Sequence, residues 1–357
     1  MIFYSYYDQL NLVDATRPIY QSDLSIGSIN LTFSQEENIS IEFNVSLNLT
    51  VSEAETGNTD NVIDSSNGTI PLKVRDTLWI VIPISIIYST IFVIGVLGNI
   101  ITCIVIARNK SMHTATNYYL FSLAISDLLL LITGVPQDIY HVWYRFPYPF
   151  GSGVCKIVSF ASETFANATV LTITAFTVER YVAICKPFLS HTMSKLSRAV
   201  RFVLTIWVIA FSLAIPQALS MQIDTQFRMC TVRHEQTKHL FFISTVVVFV
   251  CPMSVITILY MLIWLQLRRS KLECSTQVAV VIAFFLCWAP FHAQRLMAVY
   301  ANDYNQNAAI RRGFEILTCL SGILYYISTC INPVLYNIMS HKFREAFKEC
   351  IGALKFK

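Results

Sequence analysis

The chain has 357 residues, of which 54% are hydrophobic and only 13% are charged, with a formal net charge of +4. A soluble globular domain carries about 25% charged residues. The composition therefore excludes an ordinary soluble protein and favours a membrane protein, and no nucleic-acid partner is expected.

Residues 1–76 form a polar region distinct from the rest. They hold 11 acidic and three basic residues, a net charge of −8. N-x-S/T sequons begin at five positions in this region, Asn30, Asn38, Asn44, Asn48 and Asn67, a density that indicates an exported, glycosylated segment. We interpret residues 1–76 as a mostly disordered extracellular tail. No apolar signal segment precedes it, so we expect the first membrane span to direct export.

Seven long apolar runs follow. They are Leu78–Ala107, Tyr118–Tyr140, Lys156–Cys185, Val200–Leu219, Leu240–Leu267, Val278–Tyr300 and Phe314–Met339. A helix of about 20 apolar residues crosses the hydrocarbon core of a bilayer, and a spanning segment must satisfy its own backbone hydrogen bonds. The runs therefore predict an all-α membrane protein, a seven-transmembrane helix bundle over residues 77–339.

The basic residues predict the orientation of these helices. They are most concentrated in the segments that would face the cytoplasm, which carry Arg108, Lys110, Lys186, Lys195, Arg198, Arg268, Arg269, Lys271, Lys342, Arg344 and Lys348. Lys and Arg are enriched on the cytoplasmic side of membrane proteins. We expect a multi-pass plasma-membrane protein with an extracellular N-terminus and a cytoplasmic C-terminus.

Polar residues inside the runs are expensive, which favours functional roles for them. In chain order they include Asp127 in the second run, Glu179-Arg180-Tyr181 at the end of the third, Tyr260 in the fifth, and Asn332-Pro333 and Tyr336 in the seventh. Taken singly, each is also explained by an interhelical hydrogen bond or a helix kink.

The sixth run carries the densest polar face. Trp288, His292 and Arg295 are spaced i, i+4, i+7 and so lie on one side of a helix. A basic side chain at such a position indicates a polar cavity or a buried partner.

Two cysteine positions outside the apolar cores are informative. Cys155 stands at the start of the third run and Cys230 in the loop after the fourth, both on the oxidising side, where a disulfide between them is chemically permitted. Residues 340–357 are expected to begin with an amphipathic helix, His341–Cys350, that lies on the membrane surface. Cys350 at its end is a candidate palmitoylation site, although an unmodified thiol is the alternative.

Over residues 78–350 the chain resembles the rhodopsin-like (class A) G-protein-coupled receptors, because this whole set of polar residues occurs in the order typical of that family. The resemblance implies that Asp127 binds a sodium ion and that Arg180, flanked by Glu179 and Tyr181, meets the G protein. It implies that Trp288 is a switch residue beneath the ligand. Further switch and coupling positions implied in the same way are Phe188, Tyr260, Asn332, Pro333 and Tyr336. No other cofactor is expected, and the implied partners are a G protein, arrestin and membrane lipids.

The outer halves of the helices suggest a ligand class. Tyr326 occupies the position where opsins carry their retinal lysine, and Ser162 the position where amine receptors carry an aspartate. Glu163 lies 17 residues before Arg180, about 25 Å along a helix, and Asp138 points to the same mouth. We expect Glu163 and Asp138 to face Arg295, an arrangement that suits a ligand with an arginine and a polar, uncharged terminus.

The stretches CWAPFHAQR and ERYVAICKPFLSHTMSKLSRAV, together with Glu163, are similar to the neuromedin U receptor group and its arthropod pyrokinin and CAPA-type relatives. Those receptors respond to amidated neuropeptides that end in Pro-Arg-X-amide. The resemblance implies that Glu163 pairs with the ligand's arginine and that Arg295 and His292 contact the amidated end. Pocket neighbours expected from the same positions are Phe291, Gln137 and Tyr326. The alternative is an internal Glu163–Arg295 salt bridge that closes the empty pocket.

One segment departs from the family. Only 38 residues separate Pro252 from Pro290, so the third inner loop and the cytoplasmic foot of the sixth helix look deleted. We therefore expect weak coupling to a Gq-type calcium pathway, and a non-signalling splice form that binds peptide or heterodimerises is the alternative. A transporter is less favoured because no inverted repeats are visible, and an enzyme because no nucleophile–base pair or metal-spaced cluster occurs.

Overall fold

The computed structural model describes residues 78–144, 148–186, 195–224, 228–232, 234–269, 275–300, 308–339 and 343–347. Seven helical spans account for most of them. They are α1 (Leu78–Arg108), α2 (Ala115–Trp143), α3 (Gly151–Cys185), α4 (Lys195–Ser220), α5 (His234–Thr245, a π-helical turn at Val246–Val250, then Cys251–Arg269), α6 (Ser275–Tyr300) and α7 (Ala308–Met339).

All seven helices are long and apolar enough to cross a membrane. Their outward faces carry large exposed hydrophobic side chains, for example Val93, Leu204 and Ile258, as expected for surfaces in contact with lipid. The predicted all-α, seven-span architecture is therefore confirmed. The predicted helices begin and end within three residues of the observed ones, except that α3 and α4 each begin five residues earlier and α5 and α7 each begin six residues earlier.

α3 lies at the centre of the bundle. It packs against α2, α4 and α5, while α1 packs on α2 and α7, and α6 packs on α7 and α5. Small residues allow the closest contacts: a Cβ on Gly95 would overlap Leu131, and one on Gly98 would press on Pro333. The first helix can therefore lie close to α2 and α7 because these two positions have no side chain.

A short hairpin covers one end of the bundle. Strands β1 (Met221–Ile223) and β2 (Cys230–Val232) pair antiparallel directly after α4. The predicted disulfide is confirmed, because Cys230 on β2 is bonded to Cys155 near the start of α3, with 5.8 Å between the two Cα atoms. We call this end of the bundle the disulfide end; Arg180, 25 residues further along α3, lies about 38 Å away near the opposite end.

At the opposite end, α5 ends at Arg269 and α6 begins at Ser275. α6 has 26 residues, the same length as α4. Residues 343–347, within the predicted amphipathic helix, are helical, and Phe343 is buried in the main hydrophobic core.

Candidate ligand pocket and switch sites

The main polar contact at the disulfide end joins α3 to α6. Arg295 donates from both terminal nitrogens to Glu163, with Nη1–Oε1 and Nη2–Oε2 distances of 2.8 Å each. The two side chains are 10% and 5% exposed, respectively. Such bidentate, charge-assisted pairs are strong and fix the plane of the guanidinium. The two residues therefore neutralise each other, and they form the internal salt bridge named above as the alternative.

Aromatic rings and an amide hold Arg295 from other sides. Its guanidinium carbon lies 4.7 Å from the centroid of Phe291 and 5.0 Å from that of Phe241, which is within the range of cation–π attraction. Its Nη2 also donates to Gln217 Oε1 at 3.1 Å. Arg295 thus keeps contacts with α4, α5 and its own helix that do not depend on Glu163.

Gln217 is a pocket residue that the sequence analysis missed. It is 3% exposed, and its Nε2 donates to Ser244 Oγ at 2.9 Å while its Oε1 accepts from Arg295. The two bonds fix the orientation of the amide and link α4 to α5 and α6. The rule that selected Asp127, a polar side chain inside an apolar run, would also have selected Gln217.

His292 lies one turn closer to the centre of the bundle than Arg295. Its Nδ1 is 3.3 Å from Thr245 Oγ1, its ring stacks on Phe249 at 4.7 Å, and its Nε2 has no hydrogen-bond partner among the residues that the structure describes. The π-helical turn of α5 separates Thr245 from the helix that follows, and Phe249 is part of that turn. His292 therefore presents one polar nitrogen that a ligand can engage.

Trp288 forms an aromatic floor beneath His292. It is 1% exposed and packs against Phe284, Phe291 and Tyr325 with centroid distances of 5.7, 6.2 and 5.3 Å. Its Nε1 has no hydrogen-bond partner among the described residues. Trp288 lies one turn from His292 on the polar face of α6, with the two rings 6.5 Å apart; its role as a switch residue beneath the ligand stays a prediction.

Asp138 belongs to a second polar group, between α1, α2 and α7. Its Oδ2 accepts a hydrogen bond of 2.9 Å from the Tyr326 hydroxyl, and the Tyr326 ring lies 5.8 Å from that of Tyr88. Gln137, its neighbour in the chain, has an Nε2 that receives no hydrogen-bond partner from the described residues. The expectation that Asp138 faces Arg295 differs from this arrangement, because Arg295 bonds to Glu163 and Gln217. The Tyr326 hydroxyl of α7 donates a hydrogen bond to the Asp138 carboxylate instead.

The predicted sodium-site acid lies at mid-depth. Asp127 is fully buried and accepts hydrogen bonds from Asn332 Nδ2 at 2.7 Å and Thr169 Oγ1 at 3.0 Å. Ser126 Oγ lies 2.9 Å from the same threonine hydroxyl. The site therefore joins α2, α3 and α7, next to Pro333. Carboxylate and hydroxyl oxygens at this site are the ligands that hard cations prefer.

At the opposite end, Glu179 and Arg180 have different neighbours. Glu179 pairs with Arg198 of α4 at 2.6 Å, and the Arg180 guanidinium lies 5.1 Å from the Phe176 ring. Tyr260 of α5 is buried beside Arg180. Arg198 had been assigned only to the basic cytoplasmic face, so its pairing is a second contact that the sequence analysis missed.

Several predicted positions lie outside the described residues: Asn30, Asn38, Asn44, Asn48, Asn67, Phe188, Cys350 and the side chain of Tyr336. Their roles stay predictions. Tyr181 is described and is partly buried against the core at the end of α3.

Known proteins resemble this chain over most of its length. The sequence profile of the 7 transmembrane receptor (rhodopsin family) matches residues 98–336. The Drosophila melanogaster pyrokinin-1 receptor is 46% identical over 355 aligned positions, which cover 79% of this chain and 82% of that receptor. The Caenorhabditis elegans neuromedin U receptor homolog nmur-2 is 38% identical, covering 75% of this chain and 79% of its own length. Human neuromedin-U receptor 2 is 34% identical, covering 76% and 72%.

These matches agree with the seven spans, with the disulfide at one end of the bundle and with the buried polar sites along its axis. The profile covers more than half of the chain, and the relatives are matched over most of their own length. The chain belongs to the rhodopsin family of seven-transmembrane receptors and is a multi-pass membrane protein.

Proposed function

We propose that the chain is a cell-surface receptor for an amidated neuropeptide of the Pro-Arg-X-amide type and signals through a Gq-type G protein to calcium. The names of the matched relatives, a pyrokinin receptor and neuromedin U receptors, support a peptide ligand. The observation that carries the proposal is the bidentate Glu163–Arg295 pair inside the bundle. A peptide arginine presents the same guanidinium group and can take the place of Arg295 on Glu163.

The charges of the pocket favour this ligand. Among the described residues, three charged side chains are buried in the half of the bundle toward the disulfide end: Asp138, Glu163 and Arg295. Their formal charges sum to −1. One arginine side chain with an uncharged amide terminus balances that charge, whereas a free carboxylate terminus leaves an excess anion in a poorly solvated site.

Arg295 keeps partners when the peptide arrives. Gln217 and the two phenyl rings still contact its guanidinium, and the nitrogens released by Glu163 can donate to the carbonyl of a terminal amide. The unpartnered His292 Nε2 lies one helical turn below and supports contact with the same group. In this proposal ligand binding exchanges an internal ion pair for two intermolecular contacts.

The test is the substitution Glu163→Gln in cells that express the chain at measured surface levels. Removing one member of a buried charge pair costs about 2–5 kcal/mol, so we expect peptide affinity to fall about 30-fold or more. Glu315→Gln is the matched control, because Glu315 is an exposed acid near the start of α7. Peptide binding is measured directly with a labelled amidated peptide.

A second variant separates recognition from folding. Exchange of the pair, Glu163→Arg with Arg295→Glu, retains one cation and one anion in the pocket and is expected to restore surface expression without restoring peptide binding. Unchanged affinity in Glu163→Gln would refute the assignment of Glu163 as the arginine partner.

A specific observation favours a second candidate, a form that binds peptide or heterodimerises without signalling. Five residues, 270–274, connect α5 to α6. The alignment with the Drosophila receptor has 355 positions yet covers only 79% of this chain, so that receptor has segments without a counterpart here. Calcium responses of this chain, compared with a version given a longer third inner loop, distinguish the two candidates.

Further parts of the proposal concern partners and modifications. We propose an allosteric sodium ion at Asp127, where Thr169 and Ser126 supply neighbouring oxygens. We also propose an extracellular N-terminus glycosylated at its sequons, palmitoylation of Cys350, and arrestin and membrane lipids as partners. Glycosidase shifts and acyl-exchange labelling test the two modifications.

A further inference from the structure

The ion pair between Glu179 and Arg198 determines which partners remain for Arg180. Arg198 Nη2 lies 2.6 Å from Glu179 Oε1, and the two side chains are 17% and 14% exposed. Arg198 stands in the first turn of α4, and Glu179 in the last two turns of α3. The contact therefore joins two helices near the end of the bundle opposite the disulfide.

Arg180 makes no ion pair with any residue that the structure describes. Its guanidinium lies over the Phe176 ring at 5.1 Å, and its buried Nε has no hydrogen-bond partner in the described part of the chain. A buried donor without a partner costs free energy, so Arg180 would gain from an acceptor. In sequence the nearest carboxylate is that of Glu179, its neighbour.

Glu179 and Arg180 are within reach of each other. Consecutive helical positions project about 100° apart, and the long arginine side chain can span that angle. Arg198 engages one carboxylate oxygen of Glu179, and no described contact joins Glu179 to Arg180. The position of the Glu179 carboxylate therefore decides which of the two arginines it serves, and in this structure it serves Arg198.

We infer that Arg198 is a positioning residue that draws Glu179 away from Arg180 and so keeps the Arg180 guanidinium free for the G protein. This inference rests on the coupling part of the proposed function. Most of the Arg198–Glu179 contact is shielded from water, so ionic screening weakens it less than a fully exposed pair. Loss of Arg198 releases Glu179 to bind Arg180, which withdraws the cation that the G protein would meet.

The experiment uses the full-length receptor in lipid nanodiscs with a purified heterotrimeric G protein. Nucleotide exchange is measured without peptide and with a saturating amidated peptide. We expect Arg198→Gln to lower both rates about 5-fold or more, with unchanged peptide affinity. Arg198→Lys keeps a cation at the position and is expected to recover most of the loss.

Arg201→Gln is the matched control. Arg201 is exposed on the same helix, and its Nε reaches only the backbone oxygen of Ser197, at 3.4 Å. We expect its exchange rates to equal those of the unmodified chain, because none of the described carboxylates pairs with it.

A double substitution tests the competition itself. In Glu179→Gln, no acid remains for either arginine, so adding Arg198→Gln is expected to change nothing further. If Arg198→Gln lowers the nucleotide-exchange rate equally in the presence and absence of Glu179, the inference is overturned, because Arg198 then has a purely structural role. Equal rates for Arg198→Gln and Arg201→Gln would overturn it as well.

The outcomes also separate this inference from the proposed ligand. If the chain binds no amidated peptide, the proposed function is contradicted. The rate of nucleotide exchange measured without peptide then still decides the role of Arg198. Absence of exchange in every variant contradicts both the coupling and the inference.

Discussion

The Glu163–Arg295 pair makes a quantitative prediction for the ligand-free receptor. At an effective dielectric constant of about 20, unit charges about 4 Å apart attract by about 4 kcal/mol. The pair is bidentate at 2.8 Å and almost fully buried. Removing either partner leaves the other charge buried and uncompensated, which costs about 3–5 kcal/mol.

We therefore expect Glu163→Gln and Arg295→Met each to lower the melting temperature of the purified receptor by roughly 6 °C or more, at about 2–4 °C per kcal/mol. The double variant places two neutral side chains of similar length in contact. Replacement of a whole buried ion pair by neutral groups is often nearly neutral, so it is expected to be more stable than either single variant.

The assay is thermal unfolding followed with a thiol-reactive dye, since Cys287 is a buried free cysteine that unfolding exposes. The Glu179–Arg198 pair is the internal comparison. A single hydrogen bond joins its side chains, which are 17% and 14% exposed, so its coupling energy is expected to be smaller than that of the bidentate Glu163–Arg295 pair. If the decreases in melting temperature of the two single variants simply add in the Glu163→Gln/Arg295→Met double variant, the reasoning is refuted, because additive effects mean that the two charges do not interact.

Three further predictions concern single side chains. Gln217→Leu leaves a donor of Arg295 unpaired, and a charge-assisted hydrogen bond is worth about 1.5–3 kcal/mol, so binding of the amidated peptide is expected to weaken about 10-fold. Gln217→Glu retains the acceptor and is the control. Equal losses of affinity for the two variants in competition binding would contradict this. Asp127→Asn is expected to remove any effect of sodium on agonist affinity, and a sodium dependence that persists would place the ion elsewhere. Gly134→Ala puts a methyl group into the Tyr326 hydroxyl, so we expect reduced thermal stability and surface expression, and wild-type values of both would contradict the close packing.

The sequence predicted the helices well because their signal is simple. Runs of about 20 apolar residues have few alternatives in a bilayer, and the family match confirms both the receptor class and the expectation that the chain is not an enzyme. The Cys155–Cys230 disulfide could be predicted because its two cysteines lie outside the apolar cores. The rise of about 1.5 Å per helical residue also predicted that Glu163 lies about 25 Å from Arg180 along α3, toward the disulfide end.

Contacts between helices were harder to predict. Asp138 and Arg295 both lie in the half of the bundle toward the disulfide end, but the rotation of α2 turns Asp138 to Tyr326. Rotation about a helix axis depends on packing against all neighbours, which one sequence does not specify. Gln217 was missed for a different reason: a single amide in an apolar run resembles an ordinary interhelical hydrogen bond.

The π-helical turn of α5 has a consequence for how such receptors diverge. A π turn accommodates one additional residue without displacing the helix on either side. Phe241, Ser244 and Thr245 precede it, and all three touch the pocket, through Arg295, Gln217 and His292. Loss of one residue from Val246–Val250 would restore an α-helix and rotate the preceding segment by about 100°, turning these side chains toward lipid. Two receptors with the same pocket residues could thus recognise different ligands, because a one-residue deletion changes which side chains face inward.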